Sequence, residues 1–207
     1  MKIILASQSP RRKEYLEKMG VKFEIMPSKK DEIIKPNLSY LEVAMDISKQ
    51  KAHEIKEATK HLGNRLIIGS DTTVVYDGEI MGKPKDDQDA KRMLEKLSGT
   101  HHEVYTGLCV LAIDENGERE YLTADRVEVV FKKYSDEVVE KYVKTKEPIG
   151  KAGAYMMQGI GGTLVEEIHG HPASVIGLPV PRLYEIFEKE NISFLNFDWL
   201  FENYIWL

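Results

Sequence analysis

The 207-residue chain contains one cysteine, Cys109. A lone cysteine excludes an internal disulfide and cannot by itself build a zinc site, so a reducing cytoplasm is the expected setting. Cys109 lies in an apolar run, TGLCVLAI, and is read as a packing residue rather than a nucleophile. Long hydrophobic stretches are lacking too. Nothing approaches the ~20 apolar residues of a membrane span, and the N-terminal MKIILASQ is too short for a secretory signal. Excess positive charge is absent: 29 Lys and Arg against 34 Asp and Glu give a net charge of −5. That argues against a nucleic-acid partner, because general nucleic-acid binders are basic, but it leaves room for a local basic pocket. No repeat, low-complexity tract or linker interrupts the chain. Its length suits one domain over residues 1–207, with room for two lobes.

Hydrophobic spacing and turn residues supply the order of elements. A short buried strand is expected over residues 2–6. A helix follows from Pro10, with Ser9 at its N-cap, to about Met19, where Gly20 stops it. A second strand is read at 22–26, and PSKKDEIIKPN reads as loop. Ser39 and Glu42 form a capping box that opens a long helix. A strand at 65–69 is expected to break at Gly69-Ser70-Asp71, and a hairpin turns at Asp77-Gly78. A helix is expected over 87–97. Long strands at about 102–113 and 119–132 are joined at Asn116-Gly117. Ser135 opens another helix, a strand is read around 163–168, and a last helix starts near Pro181. Strands and helices alternate, yet two hairpins intervene. The expected fold class is therefore α/β, a mixed twisted sheet with flanking helices. The tail, FLNFDWLFENYIWL, is rich in aromatics and reads either as a cover for the core or as a subunit contact.

Arg11 and Arg12 pose a local puzzle. They sit in the first turn of a helix whose dipole is already positive there, which weakens the isolated helix by a few tenths of a kcal/mol each. Two readings are open: ordinary surface arginines, or cations held for an anion at the helix N-terminus, where Ser7 and Ser9 could also donate. Other segments add candidates of the same kind. Lys51 lies on the long helix, Asp71 follows a buried strand, Lys83 sits in the turn GKPK, and the glycine-rich GKAGAYMMQGIGG carries Lys151 and Gln158. Each feature alone also fits a turn, a cap or a solvated residue. His101 and His102 are adjacent, so in a strand they face opposite ways and do not make a metal pair.

Taken in order, LASQSPRR, KDE, SKQKA, GSDTTVV, MGKP, LSGTHHEVYTG, GKAGAYMMQGIGG and VIGLPV resemble the Maf family of nucleoside triphosphate pyrophosphatases. The resemblance runs from residue 3 to about 187. It implies two lobes around a cleft, similar to inosine triphosphate pyrophosphatases, and hydrolysis of a nucleoside triphosphate to the monophosphate and pyrophosphate with Mg²⁺ or Mn²⁺. It implies working roles for Ser7, Arg11, Glu32, Lys51, Asp71 and Lys83. Asp71, Glu32 and Lys83 would be catalytic, and Asp71 and Glu32 would hold the metal. A subgroup acting on dTTP and UTP selects its substrate with residues matching Arg12, Thr72 and Gln158. A sister subgroup acting on methylated GTP has tryptophan where this chain has Arg11. Relatives often have alanine where Ser70 stands. A homodimer is implied as well. Because relatives have been linked to septum formation, a nucleotide-sensing regulator of cell division is the alternative.

Overall fold

The structure is a computed structural model that describes residues 1–193; the aromatic tail from 194 onward lies outside the described residues. Seven strands form one mixed sheet. They are β1 (Lys2–Leu5), β2 (Glu24–Ile25), β3 (Arg65–Tyr76), β4 (Glu79–Met81), β5 (His101–Asp114), β6 (Gly117–Phe131) and β7 (Val165–His169). The order is β2-β1-β3-β5-β6-β7, with β4 also on β3. β1 pairs in parallel with β2 and β3, and every other pairing is antiparallel. Among the described residues six α-helices flank the sheet: α1 (Pro10–Lys18), α2 (Tyr40–Ala58), α3 (Asp87–Leu97), α4 (Asp136–Lys144), α5 (Pro172–Ile176) and α6 (Val180–Lys189).

Local chemistry explains most boundaries. The capping box is formed: Glu42 accepts from the Ser39 N–H at 2.8 Å, and Ser39 Oγ accepts from the Glu42 N–H. The β3–β4 hairpin turns through Asp77 and Gly78, both at positive φ, as a two-residue hairpin of this hand requires. Ser9 and Ser135 stand at their N-caps but make no side-chain cap bond. α5 has no periodic signal in the sequence, because five residues are too few to show one.

One expectation is corrected. β3 does not break at Gly69-Ser70-Asp71 but runs on to Tyr76. Gly69 serves packing instead. A Cβ there would lie 2.3 Å from the Ser48 carbonyl oxygen, and one at Gly107, on the neighbouring strand, 2.1 Å from that of Ala44. The two glycines let the α2 backbone rest directly on the sheet.

The sheet has a notch. On one edge of β3, β1 pairs only as far as Leu5 with Ile68, and β4 starts only at Val74. Between them, residues 69–73 have no partner strand on that side. The chain leaving β1 turns into α1 beside this gap. Apolar clusters lie to either side: one joins α3 and α4 to β5 and β6 around Leu94, Phe131 and Tyr142, and another joins α1 and α6 to the sheet around Leu16, Leu66 and Phe187. No helix among the described residues is long and apolar enough to cross a membrane.

Candidate active site

The notch opens into a cleft of about 850 Å³. It is lined by Ser7, Arg11, Arg12, Glu32, Lys51, Asp71, Thr72 and Lys83, so eight of the nine residues given roles by the resemblance converge on it. Gln158 is exposed and not among the lining residues, although its neighbours Met156 and Met157 are.

Asp71 and Thr72 are consecutive in an extended strand, so their side chains leave opposite faces of the sheet. Asp71 turns toward α2, where its Oδ1 lies 2.5 Å from Lys51 Nζ. The same ammonium lies 2.7 Å from Glu32 Oε1. Lys51 and Asp71 are largely shielded, with side-chain exposures of 15% and 13%, whereas Glu32 is half exposed. Thr72 turns the other way, to Arg12 and Thr106.

The adjacent arginines differ in kind. Arg12 is buried, and its guanidinium donates to the Gly177 carbonyl at 2.7 Å, to Ser7 Oγ at 2.9 Å and to Thr72 Oγ1 at 3.2 Å. It therefore ties α1 to β3 and to the turn after α5. Thr106 extends this network to the Ser174 carbonyl at 2.7 Å. Arg11 is partly buried and makes no ion pair or hydrogen bond among the described residues. Burial pulls its guanidinium below the ordinary value, opposed by the nearby Tyr155. Lys83 and Lys151, also on the lining, have no carboxylate partner among the described residues either. Unpaired cations gathered in a cleft, one of them desolvated, favour an anionic ligand that supplies the missing counter-charge.

Tyr155 carries no signal of its own in the local sequence. It lines the cleft and is 4% exposed, and its hydroxyl lies 3.0 Å from Nε2 of the buried His102. The two histidines do face apart: His101 is exposed and His102 is buried. Burial, aided by the charge of His101, lowers His102 to about 4, so it is neutral at physiological pH. Cys109 is buried, and burial pushes its thiol up to about 12, in keeping with a packing role.

Asp71 and Glu32 supply oxygen donors of the type that hard divalent cations take. The Lys51 ammonium between them marks where positive charge is stabilised. Among the described residues no group of three or more His, Cys, Asp and Glu side chains could hold a metal. The donor set therefore fits an ion that takes one or two carboxylates and completes its shell with water and ligand oxygens, as Mg²⁺ does at phosphate sites.

A family model described as Maf-like protein matches residues 2–190. The chain belongs to the Maf family. A dTTP/UTP pyrophosphatase of Aquifex aeolicus is 43% identical over 192 residues, covering 93% of this chain and 97% of the relative. One of Caldicellulosiruptor bescii is 44% identical, covering 91% and 94%. One of Bacillus cereus (strain AH820) is 42% identical, covering 93% and 97%. Among solved structures, a nucleoside-triphosphatase (dITP/XTP pyrophosphatase) from Mycobacterium abscessus covers 63% of this Maf chain and 74% of its own at 16% identity. Its TM-score is 0.38, a likeness too slight to bear on activity.

Proposed function

We propose that this Maf protein hydrolyses dTTP and UTP to the monophosphate and pyrophosphate. The observation that carries the reading is the cleft, in which Arg11, Lys83 and Lys151, without carboxylate partners among the described residues, share a lining with the shielded Asp71 paired to Lys51. Relatives that share most of their length with it and bear that activity in their names support the reading.

A nucleoside triphosphate carries about four negative charges near neutral pH, and cleaving it calls chiefly for positioning and charge stabilisation. In this reading Arg11 and Lys83 bind the phosphates and offset the charge that builds on the α- and β-phosphoryl oxygens as their bond breaks. Asp71 orients the attacking water and accepts its proton. Lys51 keeps Asp71 and Glu32, two like charges, side by side. Asp71 and Glu32 would hold Mg²⁺ or Mn²⁺, which supplies Lewis-acid stabilisation of phosphate charge when bound. Thr72 and Arg12, locked together, form the wall on the other face of β3. Gln158, exposed beside the lining residues Met156 and Met157, would read the base from the rim of the cleft: its amide can accept from N3–H and donate to O4 of uracil or thymine, a pattern that cytosine reverses. The lone cysteine leads us to read the protein as cytoplasmic, and the family resemblance leads us to read it as a homodimer; cell fractionation and light scattering test the two readings.

The deciding experiment is a panel of natural and base-modified nucleotides with Mg²⁺ or Mn²⁺, with pyrophosphate assayed separately from orthophosphate. The expected result is one pyrophosphate per dTTP or UTP consumed and much slower turnover of the other bases. Orthophosphate release, or binding without turnover, overturns the proposal.

A further inference from the structure

Glu32 has an unusual support. Residues 29–37 are all exposed and belong to no helix or strand, with Ile33 and Ile34 67% and 58% exposed. No apolar anchor therefore fixes the segment that carries Glu32 to Lys51. Three side chains of α2 hold it instead. Glu54 accepts from Ser28 Oγ at 2.5 Å and from the N–H groups of Lys29 and Lys30 at 3.0 and 3.2 Å. The Gln50 amide pairs with the peptide groups of Ile33, accepting from its N–H at 3.1 Å and donating to its carbonyl at 2.8 Å. Gln50 also donates to Asp46 at 2.7 Å, and Asp46 pairs with Lys35 at 2.5 Å.

Positions 46, 50 and 54 are four apart, so they form one row along the helix. The segment runs back along that row, and Glu32 lies between the points pinned by Glu54 and Gln50. Lys51, one residue beyond Gln50, is turned about 100° round the helix, from that row toward the cleft.

We propose that Gln50 and Glu54, with Asp46 steadying the Gln50 amide, are positioning residues that deliver Glu32 to the Lys51–Asp71 pair and so set the affinity of the site for a divalent cation. The inference rests on the reading that Glu32 and Asp71 hold the metal. The two-point match of Gln50 to the N–H and C=O of one residue gives it directionality that a single contact lacks. Glutamate at that position keeps the acceptor for the Ile33 N–H, loses both donors and adds a like charge beside Asp46.

The test uses the full chain with Gln50→Ala, Gln50→Glu and Glu54→Ala. Amide hydrogen exchange follows Lys29, Lys30 and Ile33. Mn²⁺ affinity is read by electron paramagnetic resonance of the free ion, with a non-hydrolysable UTP analogue present. The Ile33 amide is expected to exchange faster in Gln50→Ala, and those of Lys29 and Lys30 in Glu54→Ala. Mn²⁺ affinity should fall about three- to tenfold in each, the range that one or two hydrogen bonds are worth. Affinity for the analogue without metal should be unchanged. Gln50→Glu should resemble Gln50→Ala in Mn²⁺ affinity while keeping more of the Ile33 protection.

A Glu32→Gln background makes the test specific. There, adding Gln50→Ala should weaken Mn²⁺ no further, because its effect passes through Glu32. Unchanged exchange, faster exchange with unchanged Mn²⁺ affinity, or additive losses in the double variant each overturn the proposal. If Glu32→Gln alone leaves Mn²⁺ affinity intact, the metal-holding role of Glu32 fails first and takes the proposal with it. That outcome is distinct from a failure of the α2 contacts, which hydrogen exchange reports independently.

Discussion

Lys51 Nζ lies 2.5 Å from Asp71 Oδ1 and 2.7 Å from Glu32 Oε1, so one ammonium joins carboxylates delivered by a strand and by an irregular segment. Removing it leaves two like charges together in a partly shielded site. Lys51→Met is expected to lower kcat by about 10²–10³-fold, the usual loss for one preorganised electrostatic group. Pyrophosphate release at saturating UTP measures it. Asp71→Asn should be at least as damaging with Mg²⁺ saturating, and near-normal turnover in that variant refutes the assigned role.

Arg11 and Arg12 should separate cleanly when each is replaced by alanine. Arg11 has no side-chain partner to lose among the described residues, so Arg11→Ala should raise KM or lower kcat with little change in melting temperature. Arg12→Ala removes three hydrogen bonds, to the Gly177 carbonyl, Ser7 and Thr72, which keep only the donors Ser70, Ser9 and Thr106. It should cost about 1–3 kcal/mol of stability, read from denaturant melts, in addition to any loss of activity.

Acid should weaken the fold through His102. The unfolded histidine titrates at the ordinary 6.5, whereas burial lowers the folded one to about 4. Between those values the unfolded chain binds the extra proton, so stability falls as pH drops from about 6.5 to about 4 and levels off below. The displacement is worth about 3 kcal/mol at most. Melts of the wild type and of His102→Gln across this range should show a shallower decline for the variant.

Gly107→Ala places a methyl group against the α2 backbone, where the Ala44 carbonyl oxygen would lie 2.1 Å away. Overpacking of this kind costs about 1–3 kcal/mol or more. Because α2 carries Lys51, activity should fall together with stability. Calorimetry and a UTP assay on the same preparation check both.

Much of this architecture is legible in local sequence. Pro10, the Ser39–Glu42 box, Asp77-Gly78 and Asn116-Gly117 mark boundaries because their chemistry acts within a few residues of chain. Gly69 misleads for the opposite reason: its close approach to Ser48 is a tertiary contact, and on its own a glycine in a strand looks like a break. The motif residues could be gathered by resemblance, but the division of labour between Arg11 and Arg12 depends on Gly177, 165 residues from Arg12. Gln50 and Glu54 had a faint signal, a polar row at four-residue intervals. That row became informative only once the segment lying across it was seen. Tyr155 and His102 were hidden in the same way, since the bond between them links a strand to a distant loop.

The stretch of β3 that is paired on one edge only has a final consequence. Asp71 and Thr72 point to opposite sides of the sheet, and a ligand entering through the gap can reach both. A slide of β3 by one residue against β5 would exchange the two sides, sending the carboxylate toward Arg12 and the threonine toward Lys51. The chirality of the reaction centre is thus fixed by strand alignment. Gly69 and Gly107, which seat α2 on the ladder, guard that handedness without touching a substrate.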